Sequence, residues 1–180
     1  MLIRLKHIER FSITNSCNIY DLLLPILRRK PSIDRNREHL WAIGLDGQNR
    51  VLYIDQVSVG CINSVIAHPM EVYCMAVRKR AVSVVLVHNH CSSPIEPSKE
   101  DIRITQKLAT AGHILNIRLL DHLIITTDSY FSFADEGLLE DELALSRRCI
   151  KLPIHRPGFF PYWNMARHGW AIGEYARAVV

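Results

Sequence analysis

Apolar and polar positions alternate along the chain in a way that separates strand-like from helix-like segments. His39 to Leu45 and Val51 to Val59 are rich in β-branched and aromatic residues. The stretch between them, Asp46-Gly47-Gln48-Asn49, contains the Asp-Gly pair typical of tight hairpin turns. The pattern therefore predicts a β-hairpin.

A helix and a central strand are predicted next. Pro69 suits the first turn of a helix, and Val72, Met75 and Ala76 recur at helical spacing. Val82 to Val87 is an almost uninterrupted run of β-branched residues. Because it lies between helical patterns, we interpret it as a central strand buried on both faces.

The order of a helix followed by strands recurs in the next segment. Ser98 can cap a second helix, which we expect to end at Gly112. Ile117 to Thr126 and Tyr130 to Phe133 have the character of two strands joined by a turn at 127–129. This order of strands and helices predicts an α/β fold with a β-sheet flanked by helices.

Composition divides the 180 residues into three parts. Residues 1–35 form an N-terminal leader with a helix that we expect to bend or end near Pro25, after an N-cap provided by Thr14, Asn15 or Ser16. Residues 36–139 form the central domain. Residues 140–180 form a C-terminal extension that begins acidic and becomes basic and aromatic.

Charge and cysteine content limit the function classes. The net charge of +4 is mildly basic and scattered, so nucleic-acid binding is permitted but not indicated. The apolar runs are far shorter than the about 20 residues of a membrane span, and charges within residues 1–10 interrupt any signal-peptide core. Five cysteines without a C-x-x-C pair argue against a disulfide framework. We expect a cytoplasmic protein without a membrane partner.

The residues with the clearest chemistry follow the central strand. His88 and His90 are two residues apart at its end, so both imidazoles leave the same face if the strand geometry continues. Asp101 lies in the first turn of the next helix. Two nitrogens and one carboxylate oxygen, with a fourth position left to water, are typical of a catalytic zinc site. Separately, Ser98-x-x-Asp101 is also an ordinary helix capping box.

These residues resemble a known family. The spacing H-x-H, seven residues, S-x-x-D is similar to that of the JAMM (JAB/MPN) metallopeptidases. The segments Leu120 to Ile125 and Tyr130 to Leu139 resemble the closing segment of the RadC-like branch. The resemblance covers about Ile13 to Leu139. It implies an MPN/JAB-like mixed sheet with cytidine-deaminase-like layering and a zinc-dependent peptidase acting on a peptide or protein substrate.

The resemblance also implies two catalytic residues. The segment Glu38 to Asp46 is similar to the family's early strand, which identifies Glu38 as the general acid and base. From the residues alone, Glu38 would be a solvated residue at a strand entrance. Ser98 would donate a hydrogen bond to the developing oxyanion. The implied reaction is hydrolysis of a peptide or isopeptide bond by water that zinc activates.

Three positions depart from the family pattern. Cys91 and Ser93 replace a proline and a glycine in the loop after the histidines, and Met70 replaces an arginine. Cys91 is either an inert thiol that points away from the site, the interpretation we favour, or an additional inhibitory ligand. His122 is interpreted as a structural, hydrogen-bonded histidine.

A function in another class is a DNA-associated accessory module of DNA repair or mobile-element processing, with little or no peptidase activity. The basic and aromatic extension would suit it, although its aromatic residues could equally pack on the core. Zinc deaminases are excluded because they require H-x-E with a downstream P-C-x-x-C, and this chain has no C-x-x-C pair.

Overall fold

The structure is a computed structural model that describes residues 2–3, 11–60, 67–91 and 95–139. Its helices are α1 (Ser16–Arg28), α2 (Ser32–Arg35), α3 (Pro69–Lys79) and α4 (Lys99–Leu115). Its strands are β1 (Leu2–Ile3), β2 (His39–Leu45), β3 (Val51–Val59), β4 (Ser83–Asn89), β5 (Arg118–Ile125) and β6 (Tyr130–Ser132). The C-terminal extension and Ser93 lie outside the described residues.

The strands form one mixed sheet in the order β1-β3-β2-β4-β5-β6. Strands β4 and β5 are parallel and joined through α4, whereas the other neighbours are antiparallel. The predicted α/β fold with a mixed sheet flanked by helices is therefore confirmed. The predicted hairpin of β2 and β3 is confirmed with the same boundaries, while β1 and α2 were not predicted.

Side-chain alternation along the strands produces two apolar layers. Trp41 and Val85 pack on one face with α1, whereas Ala42 and Leu86 pack on the other face with α3 and α4. Every residue of β2 and β4 is buried. The predicted central strand is confirmed, and it extends two residues further than the β-branched run, to Asn89.

Helix α1 begins at an Asn15 N-cap and continues past Pro25 to Arg28. Proline removes one backbone donor from the helix. The buried residues Ile19, Leu23 and Leu27, spaced four apart, hold both sides of Pro25 against the sheet. Packing of this apolar stripe therefore keeps the last turn helical.

The prediction that Gly112 ends α4 is wrong. The helix continues to Leu115 and ends at Asn116, which adopts the left-handed conformation with φ of 54°. Gly112 is buried within the helix, and a side chain there would collide with the Tyr73 hydroxyl and the Ile117 carbonyl. Its function is close packing of α4 on α3, which sequence alone does not distinguish from a helix stop.

Among the described residues, no helix has both the length and the apolar character needed to cross a membrane.

Candidate metal centre

The candidate site lies where β4 ends, on the face of the sheet that α3 and α4 cover. His88 is the sixth residue of β4, and its side chain leaves the sheet toward α4. His90 follows the strand, but its backbone N–H still donates to the Ile125 carbonyl of β5 at 3.1 Å. This bond continues the strand geometry, so both imidazoles reach the same side, as predicted from their spacing.

The first turn of α4 brings Asp101 to the two histidines. Asp101 Oδ1 lies 3.3 Å from His88 Nε2, and Oδ2 lies 3.5 Å from His90 Nε2. The Ser98 backbone N–H and hydroxyl both donate to Asp101 Oδ2, at 2.8 and 2.6 Å. In return, the Asp101 N–H donates to Ser98 Oγ at 3.1 Å. The predicted capping box is confirmed, and it fixes the carboxylate between the imidazoles.

The three side chains form a group that fits a metal ion. One donor atom from each of His88, His90 and Asp101 lies within 4.8 Å of the others. His88 Nε2 is buried and has no hydrogen-bond partner. A buried polar atom without a partner is unfavourable unless something binds it, and an imidazole lone pair is an ordinary metal ligand. The described residues contain no other group of this kind.

Burial sets the charge of the site. It lowers the pKa of His88 to about 4, against the opposing charge of Asp101, so this imidazole is neutral at neutral pH. Burial alone would raise the pKa of Asp101. Hydrogen bonds from His90 and Ser98, together with the electrostatic contribution of His88, instead hold it well below its usual range. A neutral imidazole beside an ionised carboxylate is the state that metal ligation requires.

Glu38 lies at the entrance of β2, beside the histidines. Leu40 pairs with His88 in the antiparallel register of β2 and β4. Continued by two residues beyond the paired ends, this register would set Glu38 opposite His90 and on the same face as Leu40. The Glu38 carbonyl accepts a hydrogen bond from Gly60 N–H at 2.8 Å. Burial and the charge of Asp101 raise the pKa of Glu38, whereas His90 opposes this change. The carboxyl group is therefore electrostatically coupled to the candidate ligands.

Asn89 has a positioning contact that the sequence analysis did not identify. Its Oδ1 accepts from His39 N–H at 2.8 Å, and its Nδ2 donates to the Arg37 carbonyl at 3.0 Å. These bonds hold the backbone on both sides of Glu38. Asn89 is the central residue of the H-x-H motif, but no sequence spacing predicts which backbone groups an amide at that position will bind.

Cys91 lies beside the site and is half-buried. Burial and the nearby charge of Glu38 raise the pKa of its thiol. Because thiolate rather than thiol binds metals, this environment disfavours Cys91 as a ligand.

His122, on β5, is buried directly behind His88. Its Nε2 lies 2.8 Å from His88 Nδ1, and its Nδ1 lies 2.6 Å from Thr105 Oγ1 on α4. Burial lowers the pKa of His122 well below its ordinary value, and the neighbouring His88 lowers it further. The predicted hydrogen-bonded histidine is confirmed, and its partners connect it to the candidate site.

The preceding residue, Asp121, holds the closing segment of the domain. Its carboxylate accepts hydrogen bonds from Ser132 Oγ at 2.7 Å and from Ala134 N–H at 2.9 Å. Strand β6 and the turn after it are thereby attached to β5.

Comparison with known families agrees with this architecture. The model of the RadC-like JAB domain matches residues 13–138. This chain belongs to that family, as the sequence resemblance predicted.

Several relatives carry the name UPF0758 protein. One from Pelobacter propionicus is 43% identical over 136 residues, which are 76% of this chain and 56% of the relative. One from Trichlorobacter lovleyi has the same identity and coverage. One from Moorella thermoacetica is 42% identical over 132 residues, covering 73% of this chain and 56% of the relative. The chain thus spans about half the length of the curated relatives that it matches.

Proposed function

We propose that this domain is a zinc-dependent metallopeptidase that hydrolyses a peptide or isopeptide bond, with His88, His90 and Asp101 as the zinc ligands. The observation that carries the proposal is the convergence of three donor atoms around the unpartnered, buried Nε2 of His88. Two imidazoles and one carboxylate suit zinc, and a three-residue ligand set leaves a position open for water.

Glu38 is proposed to move the proton. When bound, zinc supplies Lewis acidity toward water and toward the carbonyl of the scissile bond. Glu38 interacts electrostatically with His90, and the raised pKa of its carboxyl group suits a residue that accepts a proton from water and returns it to the leaving amine. Asn89 supports this role by fixing the backbone on either side of Glu38.

Ser98 is proposed to stabilise the developing oxyanion, as the family resemblance implies. Its side chain is exposed, but its single hydroxyl proton points to Asp101 Oδ2 at 2.6 Å. The hydroxyl must therefore rotate away from Asp101 to donate to substrate. Ser98→Ala would remove that donor together with the helix cap.

A polar groove lies next to one of the candidate ligands. It has a volume of about 480 Å³, begins at His90 and Cys91 and continues along the turn at 126–129. Of the three candidate ligands, only His90 lines this groove. A peptide or protein substrate is the proposed partner, as the family resemblance implies.

The test is zinc content combined with a cleavage screen on peptide and isopeptide substrates. We expect about one zinc per parent chain. His88→Ala, His90→Ala and Asp101→Ala should each remove most of it, because each removes one of only three protein ligands. His113→Ala, at an exposed position of α4, is the matched control and should keep the zinc.

Two results would contradict the proposal. Zinc content that is undiminished in the three ligand variants would show that the ligand assignment is wrong. A zinc-loaded protein that cleaves no substrate but binds DNA in a salt-sensitive manner would favour the accessory DNA-associated module instead.

A further inference from the structure

A chain of hydrogen bonds extends from His88 into the protein, away from the candidate metal position. His88 Nδ1 lies 2.8 Å from His122 Nε2, and His122 Nδ1 lies 2.6 Å from Thr105 Oγ1. Thr105 Oγ1 in turn donates to the Asp101 backbone carbonyl at 2.6 Å. The chain joins β4, β5 and α4, and His88, His122 and Thr105 are each at most 3% exposed.

The number of protons determines the direction of each bond. A threonine hydroxyl has one proton, and in Thr105 it is directed to the Asp101 carbonyl. Thr105 Oγ1 must then accept from His122, which places the His122 proton on Nδ1. His122 Nε2 is left as an acceptor, so the contact with His88 requires the His88 proton on Nδ1. His88 Nε2 consequently carries a lone pair.

We propose that Thr105 and His122 are positioning residues that fix His88 in the Nδ1-protonated tautomer, so that its Nε2 lone pair faces the metal. This inference rests on the proposed zinc site. A histidine that binds a metal through one nitrogen commonly donates its other N–H to a partner that fixes the ring and tautomer. Here that partner is a second histidine, itself oriented by a hydroxyl group of the helix that carries Asp101.

Ring packing and the geometry at His88 favour this direction of the hydrogen bonds. The His122 ring stacks on Phe133 with a centroid distance of 4.9 Å and an interplanar angle of 14°. The hydrogen bonds could run in the opposite direction only if the Thr105 hydroxyl turned from the Asp101 carbonyl and donated to His122 instead. That opposite direction would also place the His88 proton on Nε2. This nitrogen lies 3.3 Å from Asp101 Oδ1 but makes no hydrogen bond to it.

The experiment compares three threonine variants by zinc affinity, measured by competition with a chelator. Thr105→Val keeps the shape of the side chain but removes the hydroxyl, and we expect about 10- to 100-fold weaker zinc binding. Thr105→Ser restores the hydroxyl and should bind within about threefold of the parent. Thr110→Val is the matched control, because Thr110 Oγ1 makes the same bond to the carbonyl four residues earlier, at 2.9 Å, on the same helix.

A second measurement reads the His88 tautomer directly in the parent and in Thr105→Val. The imidazole ¹⁵N chemical shifts of the metal-free parent should show His88 protonated on Nδ1, and Thr105→Val should lose this uniform tautomer. Equal zinc affinity in Thr105→Val and Thr105→Ser, or a parent His88 protonated on Nε2, would overturn the proposal. Neither readout depends on peptide cleavage. If the parent binds no zinc, the proposed function fails. The chemical shifts still show which nitrogen of His88 is protonated and therefore in which direction the hydrogen bonds run.

Discussion

The two faces of strand β4 are both buried, but they contain different chemistry. Toward α1, Val85 and Val87 pack with Leu23 in an apolar layer. Toward α4, the apolar residues Val84 and Leu86 are followed by His88, whose partners are polar. Strand β4 thus contributes to a hydrophobic layer on the face toward α1, whereas its face toward α4 ends in the candidate ligand His88.

The difference lies in what each face requires of its neighbours. The α1 face needs only apolar volume, which many residues can supply. The α4 face needs specific donors and acceptors, because a buried polar group without a partner is costly. We therefore expect substitutions on the first face to change stability and substitutions on the second face to change chemistry.

The largest expected effect on the α4 face comes from Glu38→Gln. Glutamine keeps the size of the side chain but accepts no proton, so turnover of a cleaved substrate should fall by about 10²- to 10⁴-fold. Zinc content should match that of the parent because the three proposed ligands are unchanged. Glu100→Gln, at an exposed position of α4, is the control and should retain activity.

Either of two outcomes would break this assignment. Turnover within a few-fold of the parent would make Glu38 an ordinary residue at a strand entrance. Loss of zinc would instead make it a ligand or a residue needed for folding.

The next effect concerns the α1 face. Leu23 is fully buried, and Leu23→Ala should lower the free energy of unfolding by about 2–5 kcal/mol through lost packing and a cavity. Chemical denaturation measures this change. Zinc content of the folded variant should stay equal to that of the parent. Ile33→Ala, at a position that is 76% exposed, serves as the control and should change stability by less than about 0.5 kcal/mol.

A large loss of zinc from folded Leu23→Ala would show that the two faces are coupled through β4. The separation drawn from the packing would then be wrong.

The two faces also differ in how far the sequence predicts them. Alternation and β-branched runs identified β2, β3 and β4, because burial on a strand follows a period of two. The spacing of His88, His90 and Asp101 predicted that they would lie together. Pattern alone could not predict the bonds from Asn89 to the backbone beside Glu38 or those from His122 to His88 and Thr105, since they join residues 17 to 52 positions apart.

The assignment of Glu38 shows the same limit. Its residue type and place before a strand fit a solvated side chain as well as a catalytic one, and only the family resemblance favoured catalysis. The structure supplies the missing physical reason, because the charges of His90 and Asp101 act on Glu38 and the β2–β4 register, if continued, sets it opposite His90.

The smallest expected effect concerns how the free energy of unfolding of the Glu38 and Glu100 variants depends on pH. Burial raises the folded-state pKa of Glu38, so its favourable contribution is present below the unfolded pKa and is lost as pH rises through the folded pKa. At neutral pH the ionised carboxylate therefore destabilises the metal-free protein. Glu38→Gln should be slightly more stable than the parent there, and the difference should vanish below the unfolded pKa of about 4.

Glu100→Gln provides the opposite case. The hydrogen bond from Arg103 lowers the pKa of Glu100, so this carboxylate contributes stability above its unfolded pKa and loses that contribution as pH falls. Denaturant titrations of both variants after chelation, at neutral and acidic pH, should give differences of opposite sign at neutral pH. Metal-free protein is needed because a bound cation would favour the ionised form of Glu38. If Glu38→Gln is less stable than the parent at neutral pH, then Glu38 has a stabilising partner in the fold, and its proposed availability for proton transfer loses its support.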